Sequence, residues 1–243
     1  MEVRDKLNTK EGYQEIIDMD IKFIRDGKDK IRMLNEDELT GIQRFPKPNI
    51  DVIKSSKDTI LTYHYELLTA KYSLGLPINE IREEYIATVK AMSESWKQSN
   101  GYVQMVFMLS IGIMLDIHSE EFENLISMVE KDNPKDFLID FLIRSRKNSW
   151  DQHTGFKFSK PFQSTAEIVE IAQTDKGKAV DKLQKYIQKE WYKSIETKTH
   201  ESKFNIHSGY RCFESGALVK ILGLDDSNLK DQPYYPFDLV HNV

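Results

Sequence analysis

Asp136 and Asp140, four residues apart, come nearest in this sequence to a catalytic pair. That spacing puts both carboxylates on one helix face, where such a pair can bind Mg²⁺ or divide acid and base roles. The plainer reading is that Asp136 caps a helix N-terminus and Asp140 meets a buried basic partner. No third ligand at useful spacing argues for a metal. The six histidines are His64, His118, His153, His200, His207 and His241. None forms an i, i+4 pair around a glutamate, so the zinc-binding HExxH helix is absent. His200 and His207 flank an expected loop and read as solvated histidines before they read as ligands. Cys212 stands alone, one residue from Phe213 in a helical segment. A nucleophile needs an activating histidine and an orienting group, and His207, five residues away in sequence, does not supply them. Cys212 therefore reads as a core cysteine. With no GxSxG, Walker loop or GxGxxG, no catalytic, cofactor-binding or metal-ligating residue is assigned. A hydrolase built on Asp136, Asp140 and a histidine is the weakest reading.

Binding chemistry has more to work with. Lys178, Lys182, Lys185, Lys189 and Lys193 recur at i+3 and i+4 steps. The stripe lacks interleaved exposed aromatics and arginines, and the whole chain is acidic, 34 − 39 = −5. It reads as a solvated helix face and not as a nucleic-acid surface. The C-terminal tail is different. From Cys212 onward Glu214, Asp225, Asp226, Asp231 and Asp238 stand against Lys220 and Lys230. Asp225-Asp226-Ser227 can cap a following turn. Tyr234, Tyr235 and Phe237, set around two prolines, either pin the C-terminus to the core or form a binding face with the acids; composition favours pinning. Glu80, Glu83 and Glu84 make a second acidic patch, early in a helix where its positive end favours them.

The elements that must carry these residues read as helices throughout. A chain of 243 residues can bury a sizeable core as one large domain or two small ones. One cysteine excludes an intramolecular disulfide and a four-cysteine zinc site, and fits a reducing compartment. The N-terminus mixes charges with no apolar signal region. The longest apolar run, Tyr102 to Leu115, falls short of the ~20 residues of a membrane span and reads as a central buried helix. The expectation is a soluble, cytoplasmic protein.

Tyr13 to Ile24 carries an apolar face that ends at Gly27. RFPKPN, residues 44–49, is a loop, and a helix carrying Ile60 to Tyr72 stops at Gly75. Pro77 opens the next helix, Gly101 the buried one and Ser119 another. Asn133-Pro134 restarts the chain with Asp136 at N3, ahead of the apolar run Phe137 to Ile143. Lys147 to Pro161 is a loop packed down by its aromatics. Gly177 to Thr199 is amphipathic, and a last helix runs from Ser208 to Leu222. No strand shows confident alternation. The fold expected is all-α, a compact array of about nine helices without significant sheet, divided into N-terminal and C-terminal regions, 1–117 and 118–243, packed as one unit.

The segment GYRCFESGALVKILGLDDSNLKDQPYYPFDLVHNV, residues 209–243, resembles the C-terminal signature of the PoNi immunity family. The resemblance is carried by Gly209, Tyr210, Phe213, Glu214, Ala217, Gly223, Asp225, Asp226, Ser227, Leu229, Asp231, Tyr234, Tyr235, Pro236, Asp238 and Leu239. Arg211 stands where the family usually has tryptophan. LSIGIMLD, DFLIDFLI, LQKYIQKEWYKS and LLTAKYSLGLPINEIREEYIATVKAM are similar to blocks further upstream in the family. The resemblance implies an all-helical cytoplasmic protein without catalytic activity or cofactor, which protects a bacterium by binding and blocking a polymorphic DNase toxin. Its partner would be the cognate nuclease toxin, with no direct nucleic acid or membrane contact and the oligomeric state left open. A nuclease groove is basic because it holds a polyanion, so an acidic inhibitor is steered to it. Candidate toxin contacts are Glu214, Asp225, Asp226, Asp231, Tyr234, Tyr235 and Asp238, with Glu80, Glu83 and Glu84. The alternative is a non-enzymatic helical adaptor whose protein partner is not a nuclease.

Overall fold

The computed structural model describes residues 2–117, 119–132 and 134–242, with side chains at all of these but 98, 100 and 119. The fold is all-α, and no strand occurs among the described residues. Two compact units emerge, Met1–Lys97 with Ser202–Gly209, and Gln98–Glu201 with Tyr210–Val243.

The first unit is built on α1 (Lys10–Thr40), α2 (Asn49–Leu74) and α3 (Ile78–Ser95). Thr9 caps α1, its hydroxyl accepting from the Gly12 N–H at 3.0 Å. Gly27 does not end this helix, contrary to its reading as a stop. A Cβ there would lie 2.9 Å from Ile60 Cγ1, so the glycine lets α1 approach α2 closely. The turn that ends α1 is Gly41, at φ 71°, and Gly75 ends α2 at φ 94°, as its sequence position suggests. Pro48 and Pro77 stand immediately before α2 and α3. Tyr13, Ile16, Ile17 and Ile24 of α1 pack with Ile60, Leu67, Ala70 and Leu74 of α2. Between α2 and α3 lies a buried ionic cluster. Glu84 Oε1 meets His64 Nδ1 at 2.7 Å, and Glu84 Oε2 accepts from Lys71 Nζ at 2.8 Å. The segment Ser202–Gly209 joins this unit through Asn205, whose Nδ2 donates to the Gly12 carbonyl at 2.9 Å.

The second unit comprises α4 (Gln98–Met114), α5 (Ser119–Lys131), α6 (Phe137–Arg144), α7 (Ser164–Ala172), α8 (Lys176–Lys185), a π-helical turn Tyr186–Trp191, α9 (Tyr192–Ser194), α10 (Phe213–Leu222) and α11 (Phe237–His241). Short 3₁₀ turns cover Thr199–Glu201 and Ser227–Leu229. The apolar run read as a central helix is the buried body of α4, which packs against α6 and α10. Gly101 leaves helical geometry near its start (φ −118°, ψ 15°). The short α9 and α11 are elements that periodicity did not separate.

Two boundaries move. Asp136 is the N-cap of α6, not N3, because its side chain accepts from the N–H groups of Leu138 and Ile139; Asn133, expected as the cap, lies outside the described residues. α10 starts at Phe213, not Ser208. Gly209 sits at φ 119°, and the Cys212 N–H donates to the Tyr234 carbonyl at 2.9 Å, so 208–212 runs as a non-helical lead-in.

Candidate interaction surface

Asp136 and Asp140 are fully buried, and their oxygens serve the chain that follows them. Asp136 Oδ1 accepts from the Leu138 and Ile139 N–H groups at 2.9 and 3.0 Å and from the Tyr102 hydroxyl at 3.1 Å. Its Oδ2 accepts from the Lys157 N–H at 2.8 Å. Asp140 Oδ1 takes the Trp150 indole N–H at 2.8 Å, and Oδ2 takes the His153 N–H at 2.8 Å with His153 Nδ1 at 2.7 Å. Both carboxylates therefore clamp the loop from Lys147 to Pro161 onto α6. The basic group that meets Asp140 is half-buried His153. Burial pushes the Asp136 carboxyl above its ordinary range, against the pull of its donors. Among the described residues no three His, Cys, Asp or Glu side chains converge as metal ligands. Of the histidines, His118 lies outside the described residues.

The acidic candidates separate by burial. Glu214 is fully buried; the Tyr186 hydroxyl donates to its Oε1 at 2.7 Å, and burial holds its carboxyl toward the neutral acid. Asp226 is buried, accepting from the Tyr235 hydroxyl at 2.6 Å and lying 3.0 Å from His241 Nε2. Tyr235 is buried with it, and Glu84 is consumed by His64 and Lys71. These four candidates are corrected to internal roles, since a partner cannot reach a carboxylate or ring that the fold has enclosed. Tyr234 is half-buried, stacked on Tyr192 with centroids 4.5 Å apart and 5.7 Å from the Trp191 ring. Asp225 and Asp231 are exposed and Asp238 half-buried, all in the second unit. Asp225 Oδ1 accepts from the Ser227 N–H at 3.1 Å, and that bond holds its carboxyl below the ordinary range. Glu80 and Glu83 are exposed on α3 of the first unit. In the lysine stripe Lys178, Lys185, Lys189 and Lys193 are exposed, while Lys182 is half-buried against Glu167 at 2.6 Å.

The model of the PoNe immunity protein (PoNi) N-terminal region matches residues 4–127, and that of the PoNe immunity protein C-terminal region matches residues 134–239. The chain belongs to the PoNi family. Family members are immunity proteins, which implies a toxin partner. The chain is also similar to the crystal structure of protein PA2201 from Pseudomonas aeruginosa, with a TM-score of 0.58 and 18% identity over 100% of this chain and 98% of that one. At that identity the likeness shows the fold alone. No curated protein matches the chain.

Within this PoNi-family chain, one surface feature escaped the sequence reading. Phe158 was expected to be packed down with the loop aromatics, yet it is 48% exposed, as is Val103 of α4 at 44%. With Phe107, Phe162, Trp191 and Ile195 they line an apolar groove of about 280 Å³ in the second unit. A wider concavity of about 870 Å³ adjoins it, sharing Lys160, Pro161 and Ser194. The signal missed was the π-helical turn. Ile187 and Trp191 are buried on the stripe that helical periodicity gives them, but Tyr186, buried with them at the start of that turn, is not anticipated by 3.6-residue periodicity. No helix of the described residues is long and apolar enough to cross a membrane.

Proposed function

We propose that the chain is the immunity partner of a polymorphic DNase toxin and neutralises it by binding, one to one, to the toxin's nuclease domain. Membership of the PoNi family, matched over both halves of the chain, carries this reading. The exposed acids support it: Asp225 and Asp231 on the second unit, and Glu80 and Glu83 on the first, are at the surface where they can face a basic nuclease groove, with Asp238 half-buried in the tail. Such an inhibitor competes with DNA phosphates for the same cations, and long-range attraction speeds its approach. It acts by occupancy and not by turnover, in the cytoplasm that the toxin attacks. Isothermal titration with the nuclease domain encoded beside it tests the proposal. Tight one-to-one binding with loss of DNA cleavage is expected. Absence of binding, or binding that leaves cleavage intact, overturns it and turns attention to an adaptor role.

A further inference from the structure

The segment Ser202–Gly209 lies on the first unit, and side chains hold it there. Asn205 is the centre of the seat, 193 positions from the glycine it bonds. Its Nδ2 donates to the Gly12 carbonyl and to Glu15 Oε2, each at 2.9 Å, and its Oδ1 accepts from Asn8 Nδ2 at 2.9 Å. Asn8 Nδ2 also reaches the His207 carbonyl at 3.3 Å. The His207 ring is buried, with Nε2 3.4 Å from Oδ2 of Asp5, which is buried with it. Two glycines allow the close approach. A Cβ on Gly12 would lie 2.2 Å from Asn8 Oδ1. One on Gly209, which sits at φ 119°, would lie 1.9 Å from Ser73 Oγ.

The large apolar side chains of the segment add little to this seat. Phe204 is 65% exposed and Ile206 54%, so they face solvent while Asn205 and His207 turn inward. The N-terminal segment against which it lies is anchored differently. The Arg4 and Asp5 N–H groups donate to the Ser73 carbonyl at 2.8 and 3.2 Å, and Arg4 Nη1 donates to the Tyr72 and Leu76 carbonyls at 3.1 and 2.9 Å. Those bonds are made without 202–209. A seat of polar side chains, with its apolar groups left in water, is cheap to open locally, and the released chain regains conformational entropy.

We propose that Ser202–Gly209 is a strap that opens by itself while α1–α3 and the N-terminal segment stay folded. Asn205 is its catch, and Gly209 lets it close over Ser73. Opening withdraws Asn205 from the Gly12 carbonyl and His207 from Asp5. It brings to the surface the Asp5 carboxylate and the Ser73 hydroxyl, both enclosed in the closed form. It also releases Phe204 and Ile206 from the fixed spacing that the strap imposes on them. The closed and open forms therefore offer different chemistry at one place on the first unit, an apolar pair in one and a carboxylate with a hydroxyl in the other.

Native-state proteolysis of the full chain tests this, with trypsin cleavage after the exposed Lys203 as the readout. Cleavage there tracks the population of the open strap. In the wild type it is expected to be at least about tenfold faster than cuts inside α2 and to be unchanged by low denaturant, because local opening exposes little surface. Asn205→Ala is expected to speed it about tenfold more, and Asn8→Ala to act in the same direction. Hydrogen exchange in 3–8 and in α2 should stay at the wild-type level in Asn205→Ala. Cleavage after Lys203 that rises with denaturant in step with cuts in α2 makes the segment part of the core and overturns the proposal. So does loss of protection in α2 or in 3–8 that parallels the faster cleavage of Asn205→Ala. The denaturant dependence of the wild type decides the matter even if a variant misfolds.

Discussion

In the first unit the buried Glu84 is met by basic side chains; in the second the buried Asp136 and Glu214 are met by neutral donors. Glu84 is held by His64 and Lys71, both themselves largely enclosed. Asp136 and Glu214 are instead met by backbone N–H groups and by tyrosine hydroxyls. The two solutions differ in what they fix. An ion pair between helices holds α2 to α3 but leaves the Lys71 ammonium stranded if the acid is lost. A carboxylate ringed by N–H and O–H donors dictates the path of the backbone around it. The second unit uses that property to position a long loop, and the loop forms part of the groove wall.

Glu84→Gln breaks the ionic solution most directly. It leaves Lys71 enclosed without its counter-charge and His64 without its carboxylate partner, and the expected loss is about 3 kcal/mol of unfolding free energy. Denaturant titration measures it. Asp136→Ala comes next, at about 2–4 kcal/mol, because it removes the α6 cap and strands the Tyr102 hydroxyl and the Lys157 N–H. Hydrogen exchange in Lys147–Pro161 should rise more than elsewhere in that variant. If protection there is unchanged, Asp136 does not hold the loop.

The pH dependence of the first unit sharpens the contrast. Burial, with Glu66 and Glu84 nearby, raises the Asp20 carboxyl to about 7. The folded state therefore holds a proton that the unfolded chain has released, and stability falls as pH rises from about 4 to about 7. Glu84 works oppositely. Burial pushes its carboxyl up, but the hydrogen bonds and charges of His64 and Lys71 outweigh this and hold it below its ordinary value. Its contribution is present above the unfolded value and is lost as pH falls through the folded one. Melting temperature between pH 5 and 8 should decline in the wild type and flatten in Asp20→Asn. An undiminished decline in the variant would remove Asp20 as the cause. Glu214→Gln is the matched control for Glu84→Gln. With no cation paired to it among the described residues and its carboxyl pushed by burial toward the neutral form, replacement should cost less than about 1 kcal/mol.

Much of the fold was legible because helices announce themselves through periodic apolar residues and terminal glycines, as at Gly75 and Gly223, the latter at φ 59°. Gly27 misled because a glycine that stops a helix and one that admits a neighbouring helix look alike until Ile60 is seen beside it. The candidate surface was less legible. An acidic tail shows its charge in the sequence but not its burial. Asp225 and Asp226 are adjacent and chemically identical, yet one is exposed and the other takes a tyrosine hydroxyl. The groove was hidden further, because its residues come from α4, a loop and the π-helical turn, brought together only by tertiary structure.

The smallest stability effect belongs to the surface acids, and there the comparison turns from folding to binding. Asp231→Lys on the second unit, or Glu80→Lys with Glu83→Lys on the first, should change unfolding free energy by about 0.5 kcal/mol or less, as surface replacements do, while Asp225→Lys and Asp238→Lys cost up to about 1 kcal/mol, since Asp225 holds the Ser227 N–H and Asp238 is half-buried in the first turn of α11. Their effect belongs in the association rate with the nuclease. If the tail steers the encounter, its charge reversal slows association several-fold at low salt, and the deficit shrinks as salt rises toward physiological strength. The α3 pair provides the internal comparison. Equal loss from both sets assigns steering to the net charge of the chain, loss from the tail alone assigns it to the second unit, and loss from neither removes acidic steering from the mechanism. Dissociation should stay unchanged in every one of these variants, because solvated charges at a rim contribute little once the complex has formed.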